Sequence, residues 1–183
     1  MISLFSAFLV FSDNTQDLDW LIYDNAMRFS ELPAADDIAI IEIDDKSLSQ
    51  VGRWPWPRST HAELLKQLSL IKPKAVVFDV LFPELDTNNP QSDLIFSKAI
   101  KRNGRVILPI YLETLGQQGQ VIESPPHALF YREVNALGHV HLQADTDGIT
   151  RGVFLKEGVG TAFWSHLSLA LLETLNKYSD MHN

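Results

Sequence analysis

The 183-residue sequence contains no cysteine, which excludes disulfide bonds, thiolate metal sites and a cysteine nucleophile. It also has no dense run of lysine or arginine, and its formal net charge is -8. Because a surface that binds nucleic acid must neutralise phosphates with basic side chains, we exclude a nucleic-acid partner. No fixed-period repeat and no linker rich in Pro, Gly or Ser interrupts the chain, so we expect one globular domain.

The sequence has no long hydrophobic run, although it begins with a short one. Residues 1–11 (MISLFSAFLVF) are apolar, but a helix needs about 20 such residues to cross a bilayer. The basic region and small-residue cleavage site of a signal peptide are missing. We interpret residues 1–16 as the remnant of a membrane anchor or leader. A buried first helix or strand is the alternative.

The first half of the chain alternates helical and strand patterns. Apolar side chains at helical spacing between Leu18 and Phe29 predict a helix that leads into the domain. Two short apolar runs that end at aspartate, 38–43 (IAIIEI) and 75–78 (AVVF), predict buried strands. Between these strands, Thr60 and Glu63 stand at capping-box spacing before an amphipathic helix.

The second half continues this alternation. A helix capped by Ser92 or Asp93 should end at Gly104 and precede a third strand. In that strand, at 105–111, Pro109 favours an edge position or a bulge. The remaining predictions are a surface loop at 114–124, strands at 137–142 and 152–156, and a well-buried helix at 161–177.

Strands that alternate with helices predict an α/β fold. We expect a layered, mostly parallel or mixed central sheet with helices on both faces, preceded by an N-terminal stalk helix. In such a fold, ligands bind beyond the carboxyl ends of the strands. We therefore expect the site residues at this edge of the sheet.

Aspartates follow two of the predicted strands. Asp44, Asp45 and Asp79 lie at this edge, and Asp145 or Asp147 can join them from a loop. Such a cluster would bind a divalent cation or a cationic ligand, because neighbouring carboxylates need a compensating positive charge. Alternatively, each aspartate caps a helix or turn or pairs with an arginine. The arginines considered for such pairs are Arg53, Arg58 and Arg151. Arg58 and Arg151 are also candidate ligand-binding residues.

Two tryptophans lie in the segment 52–58 (GRWPWPR), which must be a shaped loop because its two prolines fix φ and remove amide donors. Trp54 and Trp56 are candidates for the aromatic wall of a ligand site or for a dimer contact. The alternative, which the prolines favour, is that both indoles pack into the core of the domain and fix the loop there.

A histidine pair offers the remaining candidate site. His139 and His141 alternate on a predicted strand and therefore share one face, where a carboxylate that folds back would complete a metal site. A solvated or hydrogen-bonded pair is the alternative. Ser165-His166 lacks the surrounding glycines of a nucleophile elbow, so a catalytic triad has no support. The metal-ligand candidates are Asp44, Asp79, Asp147, His139 and His141, and no cofactor is predicted.

Three segments occur in an order that resembles the CHASE type 2 domain: 52–58 (GRWPWPR) with His61 and Ala62 after it, 78–82 (FDVLF), and 145–151 (DTDGITR). The resemblance covers residues 18–175. It implies a sensory domain outside the cytoplasm, anchored by an N-terminal helix and followed by transmembrane helices. It also implies a cytoplasmic output module, such as a histidine kinase, a nucleotide or diguanylate cyclase, or a serine/threonine kinase.

The resemblance leads us to predict a ligand-sensing domain at 17–178, with a C-terminal tail at 179–183 before missing membrane segments. We expect it on the periplasmic or extracellular face of the bacterial inner membrane, as part of a membrane protein. A small molecule or an ion would be its ligand, and binding would shift the receptor between states. A homodimer is expected, because receptor outputs act in pairs and two-fold association is common.

Two other functions compete with this prediction. The first is a metal-dependent phosphohydrolase that uses Asp44, Asp79 and Asp147 around Mg²⁺. The second is a structural spacer, whose dimer contacts hold the transmembrane helices in register. We favour the sensor, with no catalysis of its own.

Overall fold

A computed structural model describes residues 14–30, 33, 35–115, 120–160 and 162–180. The chain divides into two compact units, Met1–Asp44 and Asp45–Asn183. Of the predicted anchor remnant, residues 1–13 lie outside the described residues. Within the described ranges, no helix combines the length and the hydrophobicity that a bilayer crossing requires.

The first unit contains the helix α1, Asn14–Phe29, where the apolar spacing predicts one. Its role as a stalk stays a prediction. The strand predicted at 38–43 is wrong: these residues form no strand, and Ile40 is 81% exposed. A β-branched run has the propensity for a strand, but a strand forms only where a partner completes its hydrogen-bonded ladder.

The second unit has five helices and six strands among its described residues. The helices are α2 (Asp45–Val51), α3 (Arg58–Ile71), α4 (Pro90–Asn103), α5 (Ala128–Tyr131) and α6 (Leu167–Asp180). The strands are β1 (Val76–Val77), β2 (Val106–Leu115), β3 (Gln120–Ser124), β4 (Ala136–His139), β5 (Lys156–Glu157) and β6 (Trp164–Ser165).

Strand β2 is the centre of the main sheet. Its first half pairs in parallel with β1 on one side and with β4 on the other. Its second half pairs antiparallel with β3, in the register Tyr111 to Ser124. The expected surface loop at 114–124 is therefore wrong in its described part, which belongs to this hairpin. The predicted mixed sheet is confirmed.

Pro109 lies in the interior of this central strand, opposite Gly138 of β4, so the predicted edge position is wrong. The carbonyls of Arg105 and Ile107 accept from the β1 segment and those of Val106 and Ile110 from the β4 segment, so the nitrogen of Pro109 faces the β1 side, beyond the end of that strand. Burial of Leu108 and Ile110 on either side is complete and contributes about 2 kcal/mol each. The proline therefore leaves the hydrogen bonds to β4 intact within a well-packed strand.

A two-stranded ribbon extends the sheet beyond β4. Strands β5 and β6 pair antiparallel, with Glu157 opposite Trp164. The residue after β6, His166, forms a parallel bridge with His139 at the end of β4. The final helix therefore begins at Leu167 rather than at the predicted residue 161. Leu172 of this helix is 56% exposed, so the expectation that it is buried on most sides is wrong.

Helices cover both faces of the sheet, as predicted. Leu108 and Leu137 pack into the main hydrophobic cluster with Phe96 of α4. Gly138, the next residue of β4, faces the opposite side and lies against Leu167 of α6. Helices α4 and α6 therefore lie on opposite faces of the α/β sheet.

The helix termini differ from the predicted caps. Helix α3 begins at Arg58 without a side-chain cap, and the amide of Thr60 donates to the carbonyl of Pro57 inside the first turn. The predicted capping box is therefore wrong. Helix α4 is capped by Asn89, whose side chain accepts from the amide of Ser92, so Ser92 and Asp93 lie inside the helix. Gly104 ends α4 at φ 67°, as predicted.

Gly138→Ala is expected to destabilise the second unit by about 1–3 kcal/mol. A methyl group at this position would lie 2.5 Å from Cα and 2.9 Å from the nitrogen of Leu167, and these backbone atoms cannot rotate away. Urea unfolding measures the effect. Gly152→Ala is the matched control, because a methyl group there meets nothing within 4 Å. Equal midpoints for the two variants would contradict the tight contact of β4 with α6.

Candidate functional site

The segment 52–58 folds into a tryptophan loop that hydrogen bonds to itself. The indole nitrogen of Trp56 donates to the carbonyl of Gly52 over 2.7 Å. Gly52 adopts φ 112°, a conformation that side chains rarely allow. The ring centroids of Trp54 and Trp56 are 5.6 Å apart in an edge-to-face arrangement. The loop therefore holds both indoles in a fixed geometry, with Trp54 38% exposed and Trp56 partly buried.

A buried histidine lies directly beneath the tryptophan loop. His61 of α3 is 3% exposed, and burial together with the positive charge of Arg58 lowers its pKa from the ordinary value to about 4. The imidazole is therefore neutral at neutral pH. Its ring neighbours are Trp54 at 5.8 Å, Trp56 at 6.4 Å, Phe78 at 6.1 Å, Phe82 at 5.3 Å and Phe96 at 5.8 Å.

Arg58, the last residue of the loop, is tied to the core by three contacts. Its guanidinium carbon lies 5.0 Å from the ring centre of Phe82, and Nη2 donates to the carbonyl of Glu84 over 3.3 Å. Its Nε lies 3.8 Å from Oδ1 of Asp93, a distance that is close enough for an ion pair and too long for a hydrogen bond. The Asp93 carboxylate is 1% exposed, and its other oxygen accepts from the amide of Asp86.

The segment 145–151 forms a turn closed by its own charges. Nη1 of Arg151 donates to Asp145 over 2.8 Å, and Nη2 donates to Asp147 over 2.7 Å. The amide of Ile149 donates to Asp147 as well. Hydrogen bonds from Arg151, then from this amide, lower the pKa of Asp147. Both carboxylates thus have a positive partner within the turn.

The two histidines of the predicted pair contact different residues. His139 is completely buried, and its ring centroid lies 5.2 Å from that of His166. Burial, followed by the nearby His166, lowers the pKa of His139. His141 donates from Nδ1 to Glu157 over 2.8 Å. Among the described residues, no three His, Asp or Glu side chains are placed to hold a metal ion.

The structure thus assembles the motif residues 52–58 and 78–82 around one imidazole, and it places 145–151 in a separate turn. The family model described as the CHASE2 domain matches residues 2–182. This chain belongs to the CHASE2 family. The family is one of extracellular sensory domains, so the predicted resemblance and the sensory class are confirmed. No curated protein and no solved structure matches the chain.

The acidic residues of this CHASE2 domain lie at several places. Asp44 ends the first unit, Asp45 begins α2, and Asp79 is exposed just beyond β1. Within the described residues, Asp79 does not join Asp145 and Asp147 in a metal-binding group. The acidic ligand pocket therefore stays a prediction. Of the predicted site residues, the fold brings Trp54, Trp56 and Arg58 together in one loop and Asp145, Asp147 and Arg151 together in a separate turn.

Three residues that contact the predicted site residues could not be recognised as such from the sequence: His61, Asp93 and Glu157. The sequence indicates His61 only as part of a motif, although its position one turn before the buried Leu65 on an amphipathic helix places it on the apolar face. Asp93 carried a signal for a helix terminus and none for a pairing with Arg58. Glu157 had no local signal, because the strand that brings it to His141 is short.

Proposed function

We propose that this CHASE2 domain is the ligand-sensing part of a transmembrane receptor, on the periplasmic face of a bacterial inner membrane, with no catalysis of its own. Membership of a sensory family supports the general function. The observation that carries the proposal is the tryptophan loop: a rigid aromatic surface at the carboxyl end of β1, where α/β domains bind ligands.

The exposed part of this loop suggests the class of ligand. Trp54 presents part of its indole to solvent, and Asp79 presents a carboxylate at the end of the same strand. An amine or another small organic cation would contact the indole by a cation–π interaction and pair with the carboxylate. Small cationic ligands are therefore the first compounds to test.

Arg58 provides a route from the loop to the rest of the domain. Arg58 is the first residue of α3, and its side chain contacts Phe82 and the buried Asp93 of α4. A ligand that binds the loop more tightly in one state of the receptor than in the other would thereby bias both helices. We propose that such a bias reaches the output through a homodimer, the usual arrangement of paired outputs.

A thermal-shift screen of amines, amino acids, sugars and metal ions tests the proposal. A ligand at a hundred times its Kd stabilises a protein by about 2.7 kcal/mol. We expect a stabilising compound whose effect disappears in Trp54→Leu and in Asp79→Asn. Glu113→Gln is the matched control, since it removes an exposed carboxylate of β2.

Three outcomes would contradict the proposal. If a compound stabilises both variants as strongly as the unchanged chain, then its site lies away from the tryptophan loop. The absence of any stabilising compound would favour the structural spacer. Hydrolysis of a phosphate ester that depends on Mg²⁺ and is lost in Asp79→Asn would favour the phosphohydrolase.

A further inference from the structure

A groove runs along the outer surface between α3 and α4. Its volume is about 710 Å³, within the range of about 300–1,000 Å³ that is typical of small-molecule sites. Ala62 of α3 and Ala99 of α4 line it with small side chains, and Ile95 adds apolar surface. The side chain of Asn103 donates to Ser69 over 2.9 Å and so joins the two helices beside the groove. The walls are therefore two regular helices held together by a hydrogen bond.

The charge of the groove is opposite to that of the whole chain. Lys66, Lys98 and Arg102 line it, and Glu63 is the one acidic residue among its lining residues, so the local charge is 3 − 1 = +2. The chain as a whole carries -8. Lys66 is paired with Glu63, with 3.2 Å between Nζ and Oε2. Lys98 and Arg102 are the remaining two cations, and they give the groove its positive charge.

The side chains of Lys98 and Arg102 have no ion pair or hydrogen bond with any described residue. They are four residues apart on α4 and therefore share one face, where like charges repel each other. An anion between them would remove this repulsion. A carboxylate or phosphate also matches the planar fork of an arginine, which donates two parallel hydrogen bonds.

We propose that the groove between α3 and α4 binds an organic anion. Lys98 and Arg102 hold its carboxylate or phosphate group, and its apolar body lies on Ala62, Ala99 and Ile95. The site is distinct from the tryptophan loop, since α3 directs His61 towards the aromatic core and Lys66 towards the groove. A negative result at one site therefore leaves the other open to test.

Titration calorimetry with phthalate, succinate and inorganic phosphate tests this site on the whole chain. We expect saturable binding of phthalate, because it combines two carboxylates with an apolar ring. Lys98→Gln and Arg102→Gln should each weaken this binding about tenfold or more, the effect of one charge-assisted hydrogen bond. Because both side chains are exposed, unfolding midpoints should stay close to that of the unchanged chain.

Lys101→Gln is the matched control. Lys101 lies on the same helix between the two anion ligands, but it pairs with Glu133 over 3.3 Å and does not line the groove. Its removal changes the net charge by the same amount and should leave phthalate binding unchanged. Equal weakening by all three variants would show diffuse charge attraction and overturn the proposal. So would the absence of saturation by all three anions below roughly 10 mM.

The same anionic chemistry is available from a solute or from a lipid headgroup. Cosedimentation with phosphatidylglycerol vesicles, compared with phosphatidylcholine vesicles, separates the two sources. Vesicle binding that depends on Lys98 and Arg102 and that phthalate displaces would identify a headgroup. Phthalate binding without vesicle binding would identify a soluble organic anion.

Discussion

Acidification from pH 7 to pH 4 is expected to lower the free energy of unfolding by about 3 kcal/mol through His61. The pKa of His61 is about 4 in the folded protein, against an ordinary value of 6.5. As the pH falls below 6.5, the unfolded chain therefore takes up the proton first. The stabilisation is complete above pH 6.5 and is lost between pH 6.5 and pH 4.

Urea unfolding of the chain and of His61→Phe at several pH values in this window measures the effect. The phenylalanine keeps a ring among the five aromatic neighbours but has no proton to bind, so about 3 kcal/mol of the pH dependence should disappear. The contribution of His139, whose pKa is also lowered, should remain. Leu65→Ala is the control, because it removes a buried side chain of the same helix and should destabilise equally at every pH. An unchanged pH slope in His61→Phe would refute the assignment.

Asp93→Ala is expected to destabilise the second unit by about 3–5 kcal/mol. The carboxylate is 1% exposed and is the ion-pair partner of Arg58, whose side chain is only 17% exposed. Its removal leaves a largely buried guanidinium without its partner and the amide of Asp86 without its acceptor. Because Arg58 anchors the tryptophan loop, the fluorescence of Trp54 and Trp56 should also change.

The pair Lys101–Glu133 provides the comparison, since its side chains are 72% and 26% exposed. Glu133→Gln should cost about 1 kcal/mol or less, as surface ion pairs do. Chemical unfolding of both variants measures the difference. If Asp93→Ala costs no more than Glu133→Gln, then the buried pair does not hold the loop. The double replacement Arg58→Met with Asp93→Leu should restore part of the stability, because no unpaired charge is left.

The predictions that the structure confirms rest on local signals. Gly104 ends α4 because a left-handed residue favours glycine, and the sequence shows this directly. The apolar run 75–78 contains β1, and the alternation of elements indicates the mixed α/β sheet. The helix terminus and the strand depend on neighbours within a few residues, and the sheet follows from the order in which such elements alternate along the chain.

Two of the predictions that fail depend on distant partners. Pro109 suggests an edge because a proline lacks an amide, yet β1 and β4 place it in the central strand. The run 38–43 has the composition of a strand, but it forms no ladder of hydrogen bonds with a neighbouring strand among the described residues. At the site, the sequence indicates Trp54 but not the buried pair below it, because Arg58 and Asp93 belong to different helices. Contacts that long-range folding creates leave no pattern in a single sequence.

The two kinds of pairing along β2 have a consequence for how the chain folds. The half that begins at Tyr111 pairs with β3 in a local hairpin, and closing so short a loop costs little chain entropy. The half that begins at Val106 needs β1 from before α4 and β4 from after α5. Parallel strands of this kind form slowly, because distant segments must come together, at a cost in chain entropy, before their hydrogen bonds can form. One continuous strand therefore joins a hairpin that can close early to a sheet that is completed late.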